Sequence, residues 1–297
     1  MRLILVYSHR PQSYIGGLLK RAAVRLGLDV VSAGPIDPHG LMGAPVEDDC
    51  APDVRLYGGP AVRPPDTLAR PGDVLINVDQ GDDFYCVYPI GVRSVYLMSE
   101  SNEHDVARAR ASNASVFWSC MPEKIHARLL PGLLALPFGW DDEDNALADI
   151  EAPRAHDFVL YGTMDKRENL VRTIRAQGAD LALDIGRAGL SRAAWGRALR
   201  NATMTYNDHP VASLTPRLTE AMAAGCLLLS PPFLPLDLLA PRGYVVVEDV
   251  ADVAATIRRY RDPSLRLPII RRAQAAVASF SWNNNLLRIL ASVGVRP

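Results

Sequence analysis

Arg217 and Glu220 stand three residues apart in TPRLTEAMAAGCLLLSPPF, residues 215–233. A guanidinium binds phosphate oxygens with several fixed donors, and a carboxylate accepts hydrogen bonds from a vicinal diol. Together they suit the phosphate and ribose of a nucleoside diphosphate. The flanking residues predict the element that carries them. Thr215 suits a helix N-cap, Pro216 its first position and Gly225 its C-cap, and Pro231-Pro232 ends the apolar strand that follows. Leu218, Ala221, Met222 and Gly225 form one stripe, expected to face a sheet. Arg217, Glu220 and Ala224 form another, beginning at the helix N-terminus, where free N–H groups and the dipole favour an anion. The plain alternative is an Arg217–Glu220 pair on a solvated face, worth about 0.2–0.5 kcal/mol.

Other residues could share such a site. Gly162, Lys166 and Arg167 lie in the turn after the strand FVLY, and Asn207, Asp208 and His209 precede the Arg217 helix. Ser8, His9 and Arg10, followed by Gly16 and Gly17, occupy a first strand–helix turn that lacks the dinucleotide-binding glycine pattern. Glu100, Glu103, His104 and Asp105 offer a general base or a ligand for a hydroxyl, or else the acidic start of the next helix. The run Asp141-Asp142-Glu143-Asp144 reads as a solvated linker and not as a metal site. No nucleophile elbow is present, so acyl transfer has no support. Cys50, Cys86, Cys120 and Cys226 show no zinc-type spacing, which fits reduced thiols and a cytoplasmic protein.

These residues sit among short apolar runs that read as strands. In the first half they are Leu3–Tyr7, Val30–Ala33, Asp73–Val78, Ser94–Met98, Ser115–Trp118 and Leu134–Pro137. In the second they are Phe158–Tyr161, Leu181–Ile185, Met204–Asn207, Cys226–Ser230 and Tyr244–Val247. Helices are expected over Gly16–Leu26, with Leu18, Leu19, Ala22, Val24 and Leu26 buried, and near Pro122–Leu130. Others fall at Arg167–Gln177, Ser191–Asn201, Pro216–Ala224 and Val250–Tyr260, and between Pro268 and Val293. A loop rich in Pro, Gly and Asp reaches about Arg70. Alternation of this kind predicts α/β architecture with parallel sheets, in two series separated by an acidic stretch. Ligands in such sheets lie beyond the strands' carboxyl ends.

The 297 residues are 48% apolar, enough for real cores, with a net charge of −1. Residues 1–150 hold 13 Lys+Arg and 20 Asp+Glu, a net of −7, whereas the remainder nets +6. The second half is the better host for an anion, and the first is poorly suited to lie along a nucleic acid. No apolar run is long enough to span a membrane.

The stretch NDHPVASLTPRLTEAMAAGCLLLS resembles the donor-site region of group 1, family 4-like glycosyltransferases, and most of all their CgeB-like branch. FVLYGTMDKRENL, LPFGWDDE and SFSWNNNLLRIL resemble other parts of that pattern, and VYLMSESNEHD and SVFWSCMPEKIHARL match it more loosely. The resemblance covers about residues 73–291. It implies the GT-B fold, two Rossmann-like doubly wound domains facing a cleft. Residues 1–140 would bind the acceptor, 141–156 would link, and 157–280 would bind the nucleotide sugar. Residues 281–297 would form a helix packing back on the first domain. The implied activity is metal-independent, retaining transfer of a sugar from a nucleotide donor, UDP-linked or else GDP-linked, to an acceptor hydroxyl. The alternatives are another nucleotide-sugar enzyme of that fold, an epimerase or hydrolase, or a non-catalytic binding protein. Glu220 would hold the ribose. Arg217, Leu214, Thr215, Lys166 and Arg167 would lie near the diphosphate, with Gly16, Gly17, Gly162, Asn207 and His209 around the donor. His104, Glu103 and Asp208 would be catalytic, and Ser8, His9, Arg10 and Glu100 would face the acceptor, whether polysaccharide, small molecule or modified base. Ala212 stands where retaining members carry an acidic residue, so its sugar contact would fall to Asp208 or the loop backbone.

Overall fold

The computed structural model describes residues 1–8, 14–35, 52–56, 61–62, 68–79, 85–86, 88, 91–99, 103–120, 130, 132–143, 147–162, 167–187, 189–207 and 214–296. The chain forms two compact units, one of Met1–Pro137 with Trp282–Pro297, the other of Phe138–Ser281.

In the first unit the order is β1 (Leu3–Val6), α1 (Tyr14–Arg25), β2 (Val30–Gly34), β3 (Val54–Arg55), β4 (Ala61–Val62), β5 (Val74–Asp79), β6 (Tyr85–Cys86), β7 (Arg93–Met98), α2 (Glu103–Ser112), β8 (Val116–Ser119) and β9 (Leu134–Ala135). The main sheet is parallel throughout, in the order β3-β2-β1-β5-β7-β8-β9, and β4 pairs with β6 apart from it. Successive strand residues face opposite sides of a sheet. Ile4, Val6, Tyr96 and Met98 therefore share one core with Val106 and Ala109 of α2. Tyr7 faces the other side, where its ring fills the space a side chain at Gly16 of α1 would need.

α1 buries Ile15, Leu18, Leu19, Ala22 and Ala23. Val24, expected inside, is 61% exposed, because it falls off the stripe that those spacings define. The short strands β3, β4 and β6 lie in segments read as loop or left unassigned. Of the helix expected near Pro122–Leu130, only Leu130 is among the described residues, and it is buried.

The second unit runs β10 (His156–Gly162), α3 (Glu168–Gln177), β11 (Leu183–Arg187), α4 (Arg192–Asn201), β12 (Ala202–Tyr206), α5 (Pro216–Ala223), β13 (Leu227–Ser230), α6 (Leu234–Leu239), β14 (Val245–Val246), α7 (Val253–Tyr260) and α8 (Pro263–Val277). Its parallel sheet has the order β11-β10-β12-β13-β14. Phe158, Leu160, Met204, Tyr206, Leu227 and Leu229 pack on one face against α3 and α7. On the other, α4 lies on β10 and β12, and α5 on β13. Helices on both faces are what lets the strands be apolar on both sides.

Pro268, read as a helix start, lies inside α8 instead. The helix begins at Pro263, with the Asp262 carboxylate accepting the Ser264 N–H at 2.8 Å as its N-cap.

The last helix, α9 (Trp282–Ser292), returns to the first unit and packs against α1. Arg25 Nε donates to Asn283 Oδ1 at 3.2 Å, Asn285 Nδ2 to the Pro137 carbonyl at 3.0 Å and Trp118 Nε1 to Ser292 Oγ at 3.1 Å.

Candidate functional site

In the second unit the strand order reverses at β10, whose neighbours β11 and β12 lead away in opposite directions. Beyond the carboxyl ends of the strands, such a switch point leaves a crevice, because the helices that follow go to opposite faces. β10 ends there at Tyr161 and Gly162, and β12 runs into Asn207.

Two guanidinium groups meet at this point. Arg217, in the first turn of α5, donates from Nη2 to the Tyr161 carbonyl at 2.6 Å. A Cβ at Gly162 would lie 2.1 Å from Arg167 Nη1 and 3.2 Å from Arg217 Nη2. A side chain at Gly162 would therefore force the Arg167 guanidinium to shift. Two cationic groups beside one glycine suit an anion, which both can contact. The α5 N-terminus adds its dipole on the same side. Thr215 flanks it in extended conformation, and its hydroxyl makes no cap hydrogen bond.

One turn deeper, Glu220 is fully buried. Arg192 Nη2 donates to its Oε1 at 2.9 Å, and Trp195 Nε1 to its Oε2 at 2.8 Å. Both donors come from α4, so this carboxylate is not on a solvated face. α5 is buried from Leu218 through Ala223. Trp195 also touches the groups at the strand end. Arg217 Cζ lies 5.7 Å from its ring centroid, and the Tyr161 ring meets it edge-on at 6.4 Å. Tyr161 hydroxyl donates to Asp184 Oδ1 at 2.6 Å. That bond, reinforced by burial, pushes the phenol up to about 12, so it remains a donor at neutral pH. Arg192, Trp195, Tyr161 and Asp184 were not singled out in the sequence. The available signal was the Arg192–Trp195 spacing of three, which matches that of Arg217–Glu220.

Of the residues expected at the site, Gly162, Arg167 and Arg217 converge directly, and Glu220 joins them through Trp195. Asn207 is 2% exposed, and its N–H donates to Leu229 O at 2.8 Å. Its Nδ2 and the neighbouring Ser230 Oγ are buried with no hydrogen-bond partner among the described residues. Leu214 is buried. Ser8, Gly16 and Gly17 belong to the first unit, where Ser8 follows β1 at that sheet's own order reversal. Glu103 and His104 open α2. His9, Arg10, Glu100, Lys166, Asp208, His209 and Ala212 lie outside the described residues. Among the described residues no three His, Cys, Asp or Glu gather as metal ligands, and no helix is long and apolar enough to cross a membrane.

Solved structures of low sequence identity share this fold. A sucrose-phosphate synthase from Thermosynechococcus elongatus superposes with a TM-score of 0.63 at 14% identity, over 98% of each chain. The Anabaena protein HepE, in complex with UDP and glucose, gives 0.63 at 11% identity over 99% of each. The N-terminal domain of a Candida albicans trehalose-6-phosphate phosphatase gives 0.65 at 9% identity, over 98% of this chain and 96% of that one. The chain has the GT-B fold. Within this GT-B chain, residues 150–291 match the family described as glycosyl transferase-like, a span that includes the whole Arg217–Glu220 site. No curated protein matches the chain.

Proposed function

We propose that this protein is a metal-independent, retaining glycosyltransferase using a nucleoside-diphosphate sugar, with UDP as the first candidate carrier and GDP the second. The observation that carries the reading is the meeting of Arg167 and Arg217 at Gly162, at the switch point and beside the α5 N-terminus. A departing diphosphate is the anion such a place suits. Fixed cations and N–H groups stabilise the charge that develops as the sugar's C1–O bond breaks. Lys166, His209, Leu214 and Thr215 complete the donor surroundings in this reading, with Glu220 on the ribose and Asn207 near the sugar.

Transfer then forms a new C1–O bond to the acceptor, whose proton passes to a base. His104, Glu103 and Asp208 are the candidates for that role and for steadying the oxocarbenium-like sugar. Ser8, His9, Arg10 and Glu100 are assigned to the acceptor, a polysaccharide, small molecule or modified base. A cytoplasmic setting fits a soluble nucleotide donor. The resemblance of the Arg217 region to group 1 glycosyltransferases supports the retaining assignment, and Ala212, in place of the acidic residue of retaining members, counts against it. The burial of Glu220 favours one other reading, in which the carboxylate merely links α4 to α5 and the site holds phosphate alone.

Thermal unfolding with UDP, GDP, ADP and TDP tests the donor site. A ligand at 100 times its Kd stabilises by about 2.7 kcal/mol, several degrees in a unit of this size. The wild type should shift with one nucleotide, and Arg217→Gln and Arg167→Gln should lose most of that shift. An undiminished shift in both variants overturns the site. Release of the nucleotide from its sugar conjugate, measured across an acceptor panel, then tests transfer.

A further inference from the structure

One side chain touches both halves of the candidate site. The indole N–H of Trp195 holds Glu220 Oε2, and the indole ring lies against the Arg217 guanidinium. The ring is half-buried and braced edge-on by Tyr161, which Asp184 holds through its hydroxyl. Gly186 lets that brace approach, since a Cβ there would lie 2.3 Å from Tyr161 Cε1. Arg192 holds the other carboxylate oxygen from a longer, more flexible side chain that is 12% exposed.

We propose that Trp195 is the positioning residue that makes the site read a ribose diol and a diphosphate as one ligand. Its N–H fixes the Glu220 carboxylate for the diol, and its ring face fixes the Arg217 guanidinium for the phosphates. This rests on the donor-site reading given above. The diol reaches Glu220 by taking the place of Arg192, while the indole stays. An aromatic ring with an N–H donor meets both needs. Phenylalanine keeps the face and loses the donor, and leucine loses both.

The experiment measures Kd on the full chain for three probes: the best-bound of UDP, GDP and ADP, its 2′-deoxy counterpart, and inorganic pyrophosphate. Wild type should prefer the ribonucleotide by about tenfold, the worth of one hydrogen bond to a charged group. Trp195→Phe should bring that ratio toward one and leave pyrophosphate binding within about twofold. Trp195→Leu should also weaken pyrophosphate by roughly threefold, the scale of a partly exposed cation–π contact. Glu220→Gln should reduce the ratio with the indole still in place, which keeps the test open should Trp195→Phe fold poorly. A purely structural Trp195 would weaken all three probes in parallel and leave the ratio unchanged. That result overturns the inference and leaves the donor site standing. No nucleotide binding by the wild type overturns both.

Discussion

At Gly162 the absent side chain determines what can gather. Its φ of +156° and the two guanidinium groups beside it make any larger residue unfavourable twice over. Gly162→Ala should lower the unfolding midpoint by a few degrees, since a residue in a sparsely populated backbone region costs about 1–3 kcal/mol. It should also abolish the nucleotide-induced shift, because the new methyl displaces Arg167. A lower midpoint with the shift intact would mean that Arg167 and Arg217 do not act together on the ligand. Arg167, Arg217 and Glu220 were legible in the sequence because each is a charge near a glycine or a helix start. Their partners were not. Arg192 and Trp195 reach Glu220 from 28 and 25 residues away, and only the packing of α4 on α5 brings them there. The same packing buries the carboxylate, which rules out the alternative of an Arg217–Glu220 pair on a solvated face.

Elements are held in place around the site by arginines that sequence spacing does not reveal. Arg154 donates to the Leu199, Ala202 and Ala224 carbonyls at 3.1, 3.0 and 3.0 Å, tying together the chain where α4 and α5 end. Arg154→Met leaves those carbonyls short of donors and should cost about 2–4 kcal/mol, measured by denaturant unfolding. Near β10 and β11, Arg261 Nη2 pairs with Asp157 at 2.6 Å and Arg258 Nη2 with Asp180 at 2.5 Å. The Arg261 hydrogen bond holds Asp157 below its usual range, and the Arg258 bond holds Asp180 at about 2. Both carboxylates therefore stabilise the fold above their unfolded value near 4, and lose that contribution as pH falls through the lower folded values. The midpoint of the second unit should drop between about pH 4 and pH 2, and the drop should be shallower in Asp157→Asn. An equal drop in the variant would place the acid sensitivity elsewhere. Strands with long apolar runs, such as β1, β7 and β10, were readable because burial on both faces leaves no other composition. Two-residue strands such as β3 carry too few residues for a period. Pro268 misled because Asp262-Pro263 was the start signal, and a proline need not begin the helix that contains it.

At the scale of the whole molecule, the two units are not two consecutive stretches of sequence, because α9 returns to the first. The chain leaves the first unit at Pro137, builds the second through Ser281, and returns. Trp140 makes an isolated bridge with Ser281, and its Nε1 donates to Val277 O at 2.8 Å, so the second unit fastens its own two ends. The returning helix buries Trp282, Leu286, Ile289 and Leu290 completely. Each such side chain contributes about 1.5–3 kcal/mol on burial, so removing four of them costs about as much as the whole stability of a typical domain. A chain ending at Ser281 should thus lose the first unit's cooperative transition in calorimetry and keep the second's. Residues 138–281 alone should fold, and should keep the nucleotide-induced shift that Arg167, Arg217 and Glu220 produce, while supporting no sugar transfer. The charge division along the sequence, acidic in the first half and basic in the second, points the same way for the anion. Loss of nucleotide binding in that isolated fragment, with its fold intact by circular dichroism, would mean that residues of the first unit complete the donor site.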